Sequence, residues 1–218
     1  MNITDYILND FNPLTTQSTV NDALGLCRIY PITHIPIVEN GNYIGAISQT
    51  DLLTIENRDN SLDRYLDLFE QFNTVGSESA LELLKKFSIN DTNIIPVIID
   101  YNYLGYIELN DVLDVFTQTP FINSDGFILM IEKSSTDFAM SEVTQIVESN
   151  NGKLMGCYVS KMSKDIIELT LKIDSQEINE IIQTFRRYNY AIINEHQDDV
   201  FLEELKNRAE YLQKFLNT

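Results

Sequence analysis

His34-Ile35-Pro36-Ile37-Val38-Glu39-Asn40-Gly41-Asn42-Tyr43-Ile44-Gly45-Ala46-Ile47 lies, without a gap, over Ile94-Ile95-Pro96-Val97-Ile98-Ile99-Asp100-Tyr101-Asn102-Tyr103-Leu104-Gly105-Tyr106-Ile107, sixty residues further on. The match continues as Gln49-Thr50-Asp51-Leu52-Leu53 over Leu109-Asn110-Asp111-Val112-Leu113. Pro36 coincides with Pro96, Gly45 with Gly105 and Asp51 with Asp111. Self-similarity at a fixed period is the signature of a duplicated structural unit, and it takes precedence over any local propensity.

The local pattern repeats with the sequence. Ile35–Val38 and Tyr43–Ile47 are short apolar runs separated by Glu39-Asn40-Gly41-Asn42, which predicts a β-hairpin. Ahead of it Val20, Ala23, Leu24 and Cys27 recur at helical spacing, with Ser18 and Thr19 as candidate caps. Ala80, Leu83, Leu84 and Phe87 mark the same helix in the second copy, and further helices begin near Ser48 and Glu108. Each repeat therefore reads β-α-β-β-α. Such a unit is too small to bury its own faces, so the two must pack together about a pseudo-twofold axis.

The ordered pattern Ile-Pro-Ile-Val, Gly, Ile-Gly, Asp-Leu-Leu and its second copy, in which proline, hairpin, glycine and aspartate recur in order, resemble the CBS domain family. The resemblance covers residues 1–116, with repeat 1 over about 1–57 and repeat 2 over about 62–116. It implies a flat tandem module with two clefts that take adenosine-containing ligands such as AMP, ATP with magnesium or S-adenosylmethionine. In the first cleft Gly45-Ala46-Ile47-Ser48-Gln49-Thr50-Asp51 matches the family's nucleotide motif. Asp51 is expected to accept hydrogen bonds from ribose hydroxyls, and Ser48 with the helix-start N–H groups to meet a phosphate. Thr33, His34, Ile35 and Pro36 would wall the base, and Thr15 and Thr16 would close the cleft. The same Ser-x-x-Asp spacing also serves simply to cap a helix, and both readings stand at this stage. The second cleft, with Ile94, Ile95, Pro96 and Asp111, departs from the motif because Glu108 replaces the hydroxyl. A carboxylate there repels phosphate, so this cleft is expected to stay empty or to take a nucleoside or a cation.

Residues 117–125 read as a linker and 126–196 as β-α-β-β-α-β, a ferredoxin-like fold that makes the whole chain α+β. The clearest strand is Ile167, Leu169, Leu171 and Ile173 alternating with Glu168, Thr170 and Lys172, and the clearest helix face is Ile178, Ile181, Ile182 and Phe185. The element order resembles the ACT domain, a regulatory module that implies dimerisation through its sheet. Its ligand loop would be Ser134–Ala139, where Asp137 either meets an amino group or caps the next helix. Proteins that join CBS repeats to an ACT domain include some labelled acetoin-utilisation proteins, although no residue here speaks to acetoin chemistry. Residues 197–218 are expected to form an amphipathic helix, with Phe201, Leu205, Leu212 and Leu216 on one stripe, docking on its own domain or on a second subunit.

Composition narrows the function. The 218 residues carry 15 basic and 33 acidic side chains, a formal charge of −18, of which −12 falls on residues 1–116. Such a surface repels nucleic acid. The basic residues near the clefts are Arg28, Lys85 and Lys86, few for a naked triphosphate. Cys27 and Cys157 lie far apart, and with only His34 and His196 no zinc-ligand spacing occurs. Neither a signal peptide nor a membrane span is apparent, which points to the cytoplasm. No phosphate loop, dinucleotide fingerprint or nucleophile elbow is present. The expectation is a non-catalytic homodimeric sensor acting on an unidentified downstream protein, with no metal and no catalytic residues; a dimeric scaffold without ligand is the alternative.

Overall fold

The computed structural model describes residues 3–194, and the chain forms two compact units, Met1–Thr117 and Gln118–Thr218. In the first unit α1 (Val20–Ile29), β1 (His34–Glu39), β2 (Asn42–Ser48) and α2 (Gln49–Thr54) recur as α3 (Ala80–Ile89), β3 (Ile94–Ile99), β4 (Asn102–Glu108) and α4 (Leu109–Thr117). All four starts are displaced by sixty residues. α1 starts where it does because Thr19 accepts the Asp22 N–H while Asp22 accepts the Thr19 N–H, a reciprocal capping box; Ser79 and Glu82 repeat it for α3. The helices bury Val20, Ala23 and Leu24 in one copy and Leu83 and Phe87 in the other.

The two hairpins join into one antiparallel sheet in the order β1-β2-β4-β3. β2 and β4 meet at Asn42 and Asn102, each residue facing its counterpart in the other repeat. An approximate dyad therefore passes between them. Pro36 pairs with Ala46 and Pro96 with Tyr106, so the two prolines occupy equivalent places.

The entering strand of each repeat is shorter than expected. It reduces to one parallel bridge, Leu14 to Ile37 and Thr74 to Val97. In the first copy Pro13 has no N–H to offer, and the chain turns at once through the Thr15–Ser18 bond. In the second Gly76 turns it at φ 77°. The segments leading into these bridges cross to the other repeat: Leu8 exchanges both backbone hydrogen bonds with Tyr106, at 2.8 and 3.0 Å, and Glu70 does so with Ala46, at 2.8 and 2.9 Å. These crossings explain the recurrent glycines. A Cβ on Gly45 would lie 3.0 Å from Phe69 Cβ, and one on Gly105 would lie 2.3 Å from the Leu8 carbonyl oxygen, so the straps pass only over bare backbone.

In the second unit the expected linker contains a helical turn, α5 (Pro120–Asn123), opened by a proline at its first turn. Then follow β5 (Phe127–Ser134), α6 (Met140–Ser149), β6 (Lys153–Met162), β7 (Ile166–Asp174), α7 (Ile178–Arg187) and β8 (Ala191–Ile192). The sheet order is β6-β7-β5-β8 and every pairing is antiparallel, which is the ferredoxin-like arrangement. Val143, Ile146, Ile181, Ile182 and Phe185 pack on Leu129, Ile131, Leu169 and Leu171 to form its core. The expected helix over 197–218 lies outside the described residues.

Candidate functional site

A cleft of about 500 Å³ opens beside the first hairpin. Thr33 and His34 enter it from the start of β1, Ser48 from the end of β2, and Gln49, Thr50 and Asp51 from the first turn of α2. Glu70 comes from the strap that crosses Ala46, and Ile89, Asn90 and Asp91 from the end of α3 in the other repeat. The cleft is therefore composite. One copy supplies the hairpin and helix start, and the other supplies a strap and a helix end.

Its polar groups are held in fixed positions. Ser48 Oγ accepts the Asp51 N–H at 3.0 Å and donates to Asp51 Oδ2 at 2.8 Å. The capping role is thus formed, and the same bond aims the Asp51 carboxylate along the cleft wall. The Thr33 N–H donates to Asn93 Oδ1 at 2.8 Å, and the Asn93 N–H returns a bond to Thr33 Oγ1 at 3.0 Å. His34 is 4% exposed. Its Nδ1 lies 3.0 Å from Thr33 Oγ1, its Nε2 3.2 Å from Glu70 Oε1, and its ring stands edge-on to Phe72 at 5.3 Å. The Glu70 carboxylate and the Thr33 hydroxyl, which also donates to Asn93 Oδ1 at 3.0 Å, thus hold the two ring nitrogens from opposite sides.

Of the residues predicted from sequence, Thr33, His34, Ser48 and Asp51 come together here. Others do not. Ile35 and Pro36 are buried in the sheet. Thr16 is drawn to the far end of β1, where its N–H and hydroxyl both donate to Glu39 at 2.7 and 2.6 Å, and Thr15 turns toward Ser18. The predicted cations are also elsewhere, since Lys86 pairs with Glu78 at 2.6 Å and neither Arg28 nor Lys85 lines the cleft. Sequence reading missed Gln49, Thr50, Glu70, Ile89, Asn90 and Asp91. The sixty-residue shift carried the signal for three of them, because Ile89-Asn90-Asp91 is the copy of Ile29-Tyr30-Pro31 at the end of α1.

In the second repeat Ile94, Ile95 and Pro96 are buried, and Asp111 Oδ2 is buried without a hydrogen-bond partner. Burial raises the Glu108 carboxyl above the ordinary range, and the charges of Asp111 and Asp10 push the same way. Burial likewise raises Asp111, helped by Asp114 and Asp10 and opposed by the Glu108 backbone. In the other unit Asp137 is exposed and caps nothing: α6 takes Ala139 as its N-cap without a side-chain bond, and the Asp137 carboxylate accepts from Thr136 at 3.4 Å. Among the described residues no group of three or more His, Cys, Asp or Glu is placed to hold a metal ion. No described helix is long and apolar enough to cross a membrane.

Residues 3–57 match the family model of the CBS domain, and the second repeat has the same fold and register as the first. Comparison with curated proteins finds no match. Solved structures similar to this chain include a CBS domain pair/ACT domain protein from Thermotoga maritima, at 20% identity over 54% of this chain and 98% of that one, with a TM-score of 0.48. The CBS domains of a transcriptional regulator from Streptococcus pneumoniae are 17% identical over 52% of this chain and 98% of that one, with a TM-score of 0.46. A third is the CBS domain pair of protein MJ0100 in complex with 5′-methylthioadenosine and S-adenosyl-L-methionine, 19% identical over 53% and 95%, with a TM-score of 0.43.

Proposed function

We propose that this chain is a non-catalytic sensor whose first cleft binds an adenosine-containing ligand that is neutral or cationic, S-adenosylmethionine above all. One observation carries the reading. The cleft places Asp51, Glu70 and Asp91 around a polar groove, and among the described residues no lysine or arginine lines it. Asp51, positioned by Ser48, suits a pair of ribose hydroxyls, and Thr33 and His34 stand where a base would lie. The carboxylates suit an ammonium or sulfonium and oppose a phosphate. Two unit charges 4 Å apart interact by about 1 kcal/mol in water and about 4 kcal/mol in the partly excluded medium of a groove, enough to order ligands by charge. The family match over residues 3–57 supports an adenosine ligand.

Occupancy would bridge the hairpin of one repeat to the strap and helix end of the other, and so favour one packing of the pair. The ferredoxin-like unit, which we read as ACT-like, would relay that state within a cytoplasmic homodimer to a downstream protein. Titration calorimetry with S-adenosylmethionine, AMP, and ATP with and without magnesium tests the ligand class. The expected order is S-adenosylmethionine tightest and magnesium-free ATP weakest; tight magnesium-free ATP overturns the charge argument. At a hundredfold excess over Kd the ligand should add about 2.7 kcal/mol of stability, visible as a thermal shift and lost in Asp51→Ala. No shift with any of the four overturns the sensor reading in favour of a scaffold.

A further inference from the structure

We infer that the second groove of the pair is closed by its own aromatic side chains, so that each chain takes one ligand, and that Tyr106 is the residue that decides it. The inference rests on the first cleft being the ligand site. It comes from comparing the two grooves position by position across the dyad. Where the first has Ala46, paired with Pro36, the second has Tyr106, paired with Pro96. Where the end of α3 gives Asn90 to the first cleft, the end of α1 gives Tyr30 to the second. The straps differ as well. From bridge to bridge the second runs from Glu70 to Thr74 and the first from Leu8 to Leu14, two residues longer.

Those extra residues carry Phe11 inward. Phe11 is 6% exposed and Tyr106 1% exposed, and their rings stack at 4.8 Å with an interplanar angle of 27°. Tyr30 closes on Phe11 at 5.1 Å, with its hydroxyl donating to the Asp10 carbonyl at 2.8 Å. Phe72 holds the corresponding place in the first groove, edge-on to His34, but Tyr106 and Tyr30 add two further rings where that groove has Ala46 and Asn90. A stacked ring pair is also the packing an adenine base would otherwise provide. Glu108, beside the plug, takes the place of Ser48 and is half-buried, and burial pushes its carboxyl up. The plug belongs to the core, since Phe11 and Tyr106 pack with Ile35, Ile37 and Ile94.

Calorimetric titration of the full chain with S-adenosylmethionine, and separately with uncharged adenosine, reads the stoichiometry. One equivalent per chain is expected, and Asp51→Ala should abolish all of it. Tyr106→Ala, checked for folding by circular dichroism, should bind a second equivalent of adenosine, with Tyr106→Phe retaining one. Two equivalents in the unsubstituted chain, or one surviving Asp51→Ala, would overturn the inference while leaving an adenosine-binding pair intact. No binding by the unsubstituted chain would overturn the reading of the first cleft and this inference with it. A folded Tyr106→Ala that still binds one equivalent would remove Tyr106 from the role. Should that variant fail to fold, the stoichiometry of the unsubstituted chain and the Asp51→Ala titration still decide.

Discussion

Tyr101 holds φ at 67° at the tip of the second hairpin, the place that Gly41 fills at 85° in the first. A two-residue hairpin turn needs both central residues left-handed, which costs a side chain with a Cβ about 1–2 kcal/mol. Tyr101 is 87% exposed, so little packing offsets that strain. Tyr101→Gly should therefore raise stability, by about 1 kcal/mol against a small entropic loss, read as a higher urea midpoint with an unchanged slope. Gly105→Ala should do the opposite by more than about 2 kcal/mol, since the added carbon meets backbone and the φ is unsuited to alanine; urea unfolding measures this too. The recurrent glycine, Gly45 and Gly105, was plain in the sequence, but its cause was not. Only the crossing of Leu8 over Gly105 and of Glu70 over Gly45 supplies it, and a contact between distant segments leaves no local periodicity. Glu70 escaped the sequence reading of the cleft for the same reason, whereas Ser48 and Asp51 were legible because their partners lie three residues apart.

At the scale of elements, the helices were readable from their caps. Thr19→Ala removes one capping box and should cost about 1 kcal/mol, as should Ser79→Ala; each is measurable by chemical denaturation. The entering strands are reduced to single bridges at Leu14 and Thr74, the first because Pro13 has no N–H to bond. Of the two roles read for Asp137 the cap is not formed, because α6 starts at Met140, too far along. Glu108 offers a test through pH. Its carboxyl is raised in the folded chain, so the native state holds that proton more tightly than the unfolded state does. Stability then falls as pH rises from the ordinary carboxylate value toward the raised one, and the penalty is complete above the raised value. Glu108→Gln should accordingly raise the melting temperature at pH 7 and leave it nearly unchanged below pH 4.5, the unperturbed value. A calorimetric series across that range would show a gain at neutral pH alone.

For the whole molecule, a formal charge of −18 makes self-repulsion a general term. Screening shortens the range of that repulsion from about 30 Å at 10 mM salt to about 8 Å at 150 mM. The melting temperature should rise over that interval, as scanning calorimetry in the two buffers would show. The duplication and the ferredoxin-like order were both legible from pattern alone, because each rests on spacing that recurs or alternates. How the halves interlock was not. Each repeat's leading arm lies across its sibling, so the pair has the connectivity of an arm-exchanged dimer made continuous by one peptide chain. A lone repeat would expose the glycine that its sibling's arm should cover. Two copies of it could supply each other's arms, and an ancestor with a single repeat would on this account have worked as a twin before the gene was doubled.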